Sequence, residues 1–153
     1  GTPETWPHHE RVNAIAQQCD HLLVDRTTAR HLTSSTNDDD VETRELAQRL
    51  SQWNHATAVV TDGEHGCWLA DASSRAMMFR PAERARVIDT TGCGDVFRAA
   101  YAWGVIEGAT PERRLGRAAA AAALQATRRG SSIAAPTRDE LDRFLADLDV
   151  DSP

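Results

Sequence analysis

The chain contains no lysine; all 17 of its basic residues are arginine. A P-loop, which needs a lysine after its second glycine, is therefore excluded. Cysteine is scarce and scattered. Cys19, Cys67 and Cys93 form no CxxC pair and no metal-ligand spacing, and their number is odd. A reducing, cytoplasmic setting is the simplest expectation for such thiols. No apolar run approaches the roughly 18 residues of a membrane helix, and no charged-then-apolar start marks a signal peptide. No membrane partner is expected. Basic excess is missing too: the formal charge is −6, which argues against a nucleic-acid partner. The chain opens on Gly1 and not on Met, so it is expected to begin inside a larger protein or after a removed segment. No repeat or low-complexity linker divides the 153 residues, and one domain over 1–153 is expected.

What is present alternates between two periods. Val12, Ile15, Ala16 and Cys19 fall at helical spacing. His21-Leu22-Leu23-Val24 is a short apolar run between polar residues and predicts a buried strand. Residues 25–32 predict a turn into one or two helical turns. Asp38-Asp39-Asp40 reads as a solvated surface. Leu46, Leu50 and Trp53 then mark an amphipathic helix. Thr57-Ala58-Val59-Val60-Thr61 and Cys67-Trp68-Leu69-Ala70 predict strands on either side of a tight turn over 62–66. A further strand is predicted over 75–79 and an irregular link over 81–85. Thr110-Pro111 starts a helix with its N-cap and a first-turn proline, and Thr137-Arg138-Asp139-Glu140 is a capping box that opens the last one. Strands alternating with helices predict an α/β layered sheet.

The richest stretch is Val87-Ile88-Asp89-Thr90-Thr91-Gly92-Cys93-Gly94-Asp95-Val96-Phe97. Its β-branched start predicts a strand, its middle a tight turn, and its end a helix. Two glycines about one small residue let the backbone bend sharply and approach a ligand. Free N–H groups at the helix start favour an anion there. The turn is thus a phosphate cradle or a plain strand-to-helix connection. A dinucleotide fingerprint is ruled out, because no third glycine follows Gly94. Asp95 would repel a phosphate, so a carboxylate there suits a general base better than a binding role. Cys93 at the helix start is expected to have a lowered thiol pKa.

Asp89-Thr90-Thr91-Gly92-Cys93-Gly94-Asp95 resembles the signature of the PfkB, or ribokinase-like, carbohydrate kinases, with Cys93 where the pattern has alanine. The resemblance extends to Thr61-Asp62-Gly63-Glu64-His65-Gly66, which is similar to the family's nucleotide-site segment. It implies a ribokinase-like αβα sheet, in its C-terminal portion only, without the N-terminal strands and lid. It implies phosphoryl transfer from ATP to a sugar hydroxyl, with Asp95 as catalytic base and Gly92, Cys93 and Gly94 as anion hole. Thr61, Gly63, Gly66 and Gly130 would line the nucleotide. Where the family has Asn-x-x-Glu near Mg²⁺, this chain has Asp25 and Thr28. Asp25 would reach the ion through water, and Thr28 cannot supply the charge of a glutamate. Asp89 and Thr91 would contribute to a monovalent-cation site, for K⁺, as in some relatives. The missing half would leave His21-Leu22-Leu23-Val24 as an open apolar edge, for which a homodimer or a complementing N-terminal half is expected. A non-catalytic nucleotide-binding or interaction module derived from such a kinase is the alternative.

Overall fold

The computed structural model describes residues 9–33, 41–73, 75–79 and 86–149. The acidic run Asp38-Asp39-Asp40 and the link expected over 81–85 lie outside the described residues. The chain forms two compact units, Gly1–Met78 and Phe79–Pro153.

In the first unit, helix α1 (His9–Ala16) precedes strand β1 (His21–Asp25). Helices α2 (Arg26–Leu32) and α3 (Thr43–Asn54) carry the chain back to strand β2 (Thr57–Thr61). β2 pairs in parallel with β1, from His21↔Thr57 to Asp25↔Thr61. A parallel pair cannot be closed by a tight turn, so the pairing itself demands this helical crossover. Strand β3 (Cys67–Ala70) returns antiparallel to β2, and β4 (Ala76–Phe79) completes the order β1-β2-β3-β4.

Three consecutive apolar residues of β2, Ala58, Val59 and Val60, are fully buried, as a strand covered on both faces requires. Leu46 and Leu50 of α3 are buried with Leu22, Ala29 and Val60 in one cluster. Each large apolar side chain of this kind contributes about 1.5–3 kcal/mol by leaving water. Among the described residues β1 is the open edge expected from the sequence, paired with β2. It is less buried than predicted: Leu22 is covered, whereas His21, Leu23 and Val24 are only half-buried. Among the described residues, one edge of β1 has no neighbouring strand.

The second unit is helical over most of its described residues: α4 (Cys93–Ile106), α5 (Pro111–Ala126) and α6 (Arg138–Asp149). The expected strand at Val87-Ile88 does not form. Val87 is 63% and Ile88 52% exposed. The amides of Ile88 and Asp89 instead both donate to the Ala126 carbonyl at the end of α5, at 2.7 and 3.1 Å. With its donors committed to a helix end, the segment has no ladder to join.

The predicted caps are in place. The Thr110 hydroxyl accepts from the Arg113 amide at 3.4 Å, and Pro111 opens α5. Thr137 and Glu140 form the reciprocal box: Glu140 N–H donates to the Thr137 hydroxyl at 3.3 Å, and Thr137 N–H to the Glu140 carboxylate at 2.8 Å. Phe97, Tyr101 and Gly104 form the buried face of α4. Alanines 118–121 are buried on α5, and their small side chains allow close helix packing.

Candidate active site

In the first unit, the candidate residues gather where β1 and β2 end. Asp25 and Thr61 are register partners at the C-terminal ends of two parallel strands, the edge at which open α/β sheets bind ligands. Asp25 is the N-cap of α2. It accepts from the Thr28 amide at 2.8 Å and from the Thr28 hydroxyl at 2.9 Å. Partial burial opposes its charge, yet the hydrogen bonds together outweigh the burial and hold its carboxyl below the ordinary value. Thr28 thus steadies the one carboxylate and adds none of its own.

After Thr61, the turn is closed by the Asp62 amide donating to the Gly66 carbonyl at 2.8 Å. Gly63 (φ +53°) and Gly66 (φ +94°) both adopt left-handed backbone that other residues rarely take. The Asp62 carboxylate accepts from the Thr43 hydroxyl at 2.7 Å and from Arg26 at 3.4 Å. The turn is therefore tied to the starts of both crossover helices. His65 is exposed, as a turn residue should be.

In the second unit, the signature residues surround the start of α4. Gly92 is its N-cap at φ +80°, with no side chain capping the helix. The Cys93 amide donates to the Thr90 carbonyl at 3.2 Å, and the Val96 amide to the Gly92 carbonyl. Of the first-turn amides, those of Gly94 and Asp95 are the ones left facing outward from the helix end. The anion-binding capacity of the turn thus rests chiefly on Gly94 and Asp95. The Asp95 side chain is 85% exposed and accepts from Arg98 at 3.2 Å, one turn along.

The Cys93 thiol departs from expectation. Burial pushes it above its ordinary value, and the Asp89 charge pushes the same way.

Asp89 is well supplied with donors. Its carboxylate takes the Thr91 amide at 2.9 Å and the Gly130 amide at 3.2 Å. The Thr91 hydroxyl, these amides and the Arg129 charge hold it below the ordinary carboxylate value. Gly130 has φ +105°. Gln125, fully buried near the end of α5, joins the two loops. Its side-chain nitrogen donates to the carbonyls of Gly130 at 2.7 Å, Thr91 at 3.1 Å and Ser131 at 3.2 Å.

The structure thus brings Asp25, Thr61, Gly63 and Gly66 together in one unit, and Asp89, Thr91, Gly92, Cys93, Gly94, Asp95 and Gly130 in the other. Gln125 and Arg98 were not foreseen. A signal for Gln125 existed. It lies four residues after Ala121 and seven after Ala118, on the buried stripe of an alanine-rich helix, and a polar residue on such a stripe must find partners. Among the described residues, no cluster of three or more His, Cys, Asp or Glu could hold a metal ion. No helix among them is long and apolar enough to cross a membrane.

The pfkB family of carbohydrate kinases matches residues 2–138 of the chain. A 5-dehydro-2-deoxygluconokinase from Listeria monocytogenes is 24% identical over 148 residues, covering 94% of this chain and 44% of the relative. Among solved structures, Arabidopsis thaliana ribokinase, in complex with ribose and ATP, superposes with a TM-score of 0.76 at 27% identity, covering 87% of this chain and 43% of its own. A nucleoside kinase from Burkholderia thailandensis, in complex with inosine, gives 0.70 at 26% identity, covering 90% and 43%. The chain therefore spans less than half the length of these three proteins.

Proposed function

The chain belongs to the pfkB family of carbohydrate kinases, and from that premise we propose that it is the ATP-binding and phosphoryl-transfer part of a sugar kinase. One observation carries the reading. An exposed carboxylate, Asp95, stands in the first turn of a helix whose uncapped start offers amides to an anion. Phosphoryl transfer depends mainly on positioning and on charge stabilisation. In this reading the Gly92-Cys93-Gly94 turn and the Asp95 amide hold the transferring phosphoryl group. Asp95 takes the proton of the attacking hydroxyl as its oxygen bonds to phosphorus and the bond to ADP breaks. A positioned base of this kind is worth about 10²–10⁴-fold in rate. In the second unit, Gly130 contributes backbone to the nucleotide; in the first, taken by itself, Thr61, Gly63 and Gly66 form the turn that the family resemblance marks as nucleotide-binding.

Mg²⁺ would enter with the nucleotide's phosphates; within the first unit, Asp25 is the carboxylate that would hold such an ion through a water molecule. Neutralising phosphate charge is what that ion supplies. The open β1 edge supports completion of the sheet by another strand, from the rest of a kinase domain or from a second copy. The relatives named above act on different sugars or nucleosides, so the acceptor is proposed only as a sugar or sugar-like hydroxyl.

Thr28 favours a second reading, a nucleotide-binding module without catalysis, because its hydroxyl replaces a carboxylate and is spent on Asp25. Calorimetric titration with ATP and Mg²⁺, on the chain and on Asp95→Asn, separates the two when followed by transfer assays over a panel of sugars. The kinase reading expects both proteins to bind ATP and only the parent to transfer phosphate. Binding in both without transfer to any sugar, also when the N-terminal half of a relative is added, would leave the module. No binding by folded chain removes both.

A further inference from the structure

The amide nitrogen of Gln125 occupies a point where three carbonyl oxygens converge. The Gly130 carbonyl is 2.7 Å away, Thr91 3.1 Å and Ser131 3.2 Å. These oxygens come from two separate loops, and a trio of carbonyls turned on one point repels itself unless something electropositive stands there. A side-chain amide has two hydrogens for the three acceptors. The other end of the same amide shows how strongly the position is held: the Gln125 Oε1 atom is buried and has no hydrogen-bond partner. Turning the amide over would set its oxygen against three carbonyls, so the orphaned oxygen is the lesser cost.

A carbonyl trio beside a carboxylate is also the ligand chemistry of a weakly hydrated monovalent cation, the role expected for Asp89 and Thr91. The residues here do not fit such an ion. The point of convergence is filled by Gln125, and the Asp89 carboxylate is already satisfied by the Thr91 amide, the Gly130 amide and the nearby Arg129. The three carbonyls share the Gln125 nitrogen, and the carboxylate has donors of its own.

We propose that the Gln125 side-chain amide is a built-in replacement for a monovalent cation, joining the signature loop to the 130 loop so that neither depends on K⁺. The consequence for nucleotide handling rests on the kinase reading above, because these two loops are the ones that reading assigns to phosphate and nucleotide. The joining of the loops does not rest on it and is read without nucleotide.

The test is thermal unfolding in KCl against choline chloride at equal ionic strength, roughly 100 mM, without ATP. The parent chain should unfold at the same temperature in both salts. In Gln125→Ala the carbonyl trio is freed, and K⁺ should raise the unfolding temperature by about 2–4 °C over choline. Gln125→Ser serves the same purpose if the alanine variant does not fold. A parent chain stabilised by K⁺ to that extent overturns the proposal, and so does a folded variant indifferent to K⁺. A chain that fails to bind ATP yet shows the expected salt pattern would lose the kinase reading and keep this one.

Discussion

Gly92 and Ser131 meet so closely that a β-carbon on Gly92 would stand 3.1 Å from the Ser131 hydroxyl and 3.4 Å from its Cα. Residue 92 begins the helix that carries Asp95, and residue 131 follows the loop proposed to line the nucleotide. Gly92 also has φ +80°, which costs an L-residue roughly 1–2 kcal/mol. Strain and contact act in the same direction. Gly92→Ala should therefore lower stability by about 1–3 kcal/mol in urea unfolding and weaken ATP binding in the folded fraction. Unchanged stability would show that the two loops can separate freely.

The glycines, the two caps and the central strands could be read from local rules. The burial of β2 needs no distant partner to predict it: the run Ala58-Val59-Val60 between polar threonines is its own signal. Thr110-Pro111 and Thr137–Glu140 are likewise complete within four residues. The failures in the second unit involve partners that local rules do not reach. Val87-Ile88 has strand composition, but the Ile88 amide is taken by Ala126, almost forty residues on. Gln125 gains its meaning from carbonyls on two other loops. Cys93 stands at a helix start, but its thiol is set by burial and by Asp89, four residues before it, which both push it up.

Cys93 gives a second prediction, on pH. Because burial and the Asp89 charge push its thiol up from the ordinary value, the thiolate is rarer than in an ordinary cysteine at neutral pH. Its alkylation by iodoacetamide should be slower than that of a free thiol at about pH 7.5, and should rise at higher pH than the free thiol's does. Removing the charge in Asp89→Asn should shift that profile towards lower pH. A midpoint at or below that of a free thiol in the parent chain would contradict the burial account.

Glu140 gives a third. The Arg128 guanidinium bonds it at 2.7 Å and the Thr137 amide at 2.8 Å, which lowers its pKa from 4.5 to about 2. A depressed carboxyl stabilises the fold while ionised, so its contribution is complete above pH 4.5 and is lost as pH falls towards 2. Glu140→Gln cannot titrate. The stability gap between the parent and Glu140→Gln should be constant above pH 4.5 and close progressively below it. A gap that persists to pH 2 would mean that the glutamate acts through packing. The contact bears on the site, since Arg128 lies two residues before Gly130.

The packing of α4 on α5 supplies the last prediction, and here two effects oppose each other. Replacing Gly104 by alanine favours the helix by about 1 kcal/mol. The new β-carbon, however, would lie 2.9 Å from Arg114 Cγ and 3.4 Å from its Cα. Arg114 cannot simply swing aside, because its Nε donates to the Ala109 carbonyl at 2.7 Å. Overpacking of this kind typically costs about 1–3 kcal/mol, so contact should outweigh propensity and Gly104→Ala should be destabilising. In an Arg114→Ala background the Cγ is gone and only milder contacts remain. There the same substitution should be neutral or stabilising by up to about 1 kcal/mol. The change of sign between the two backgrounds, measured as a double-mutant cycle by urea unfolding, isolates the contact. Equal effects in both would show that the helices part without strain. The start of α4, with Asp95, would then not be held in place by this crossing.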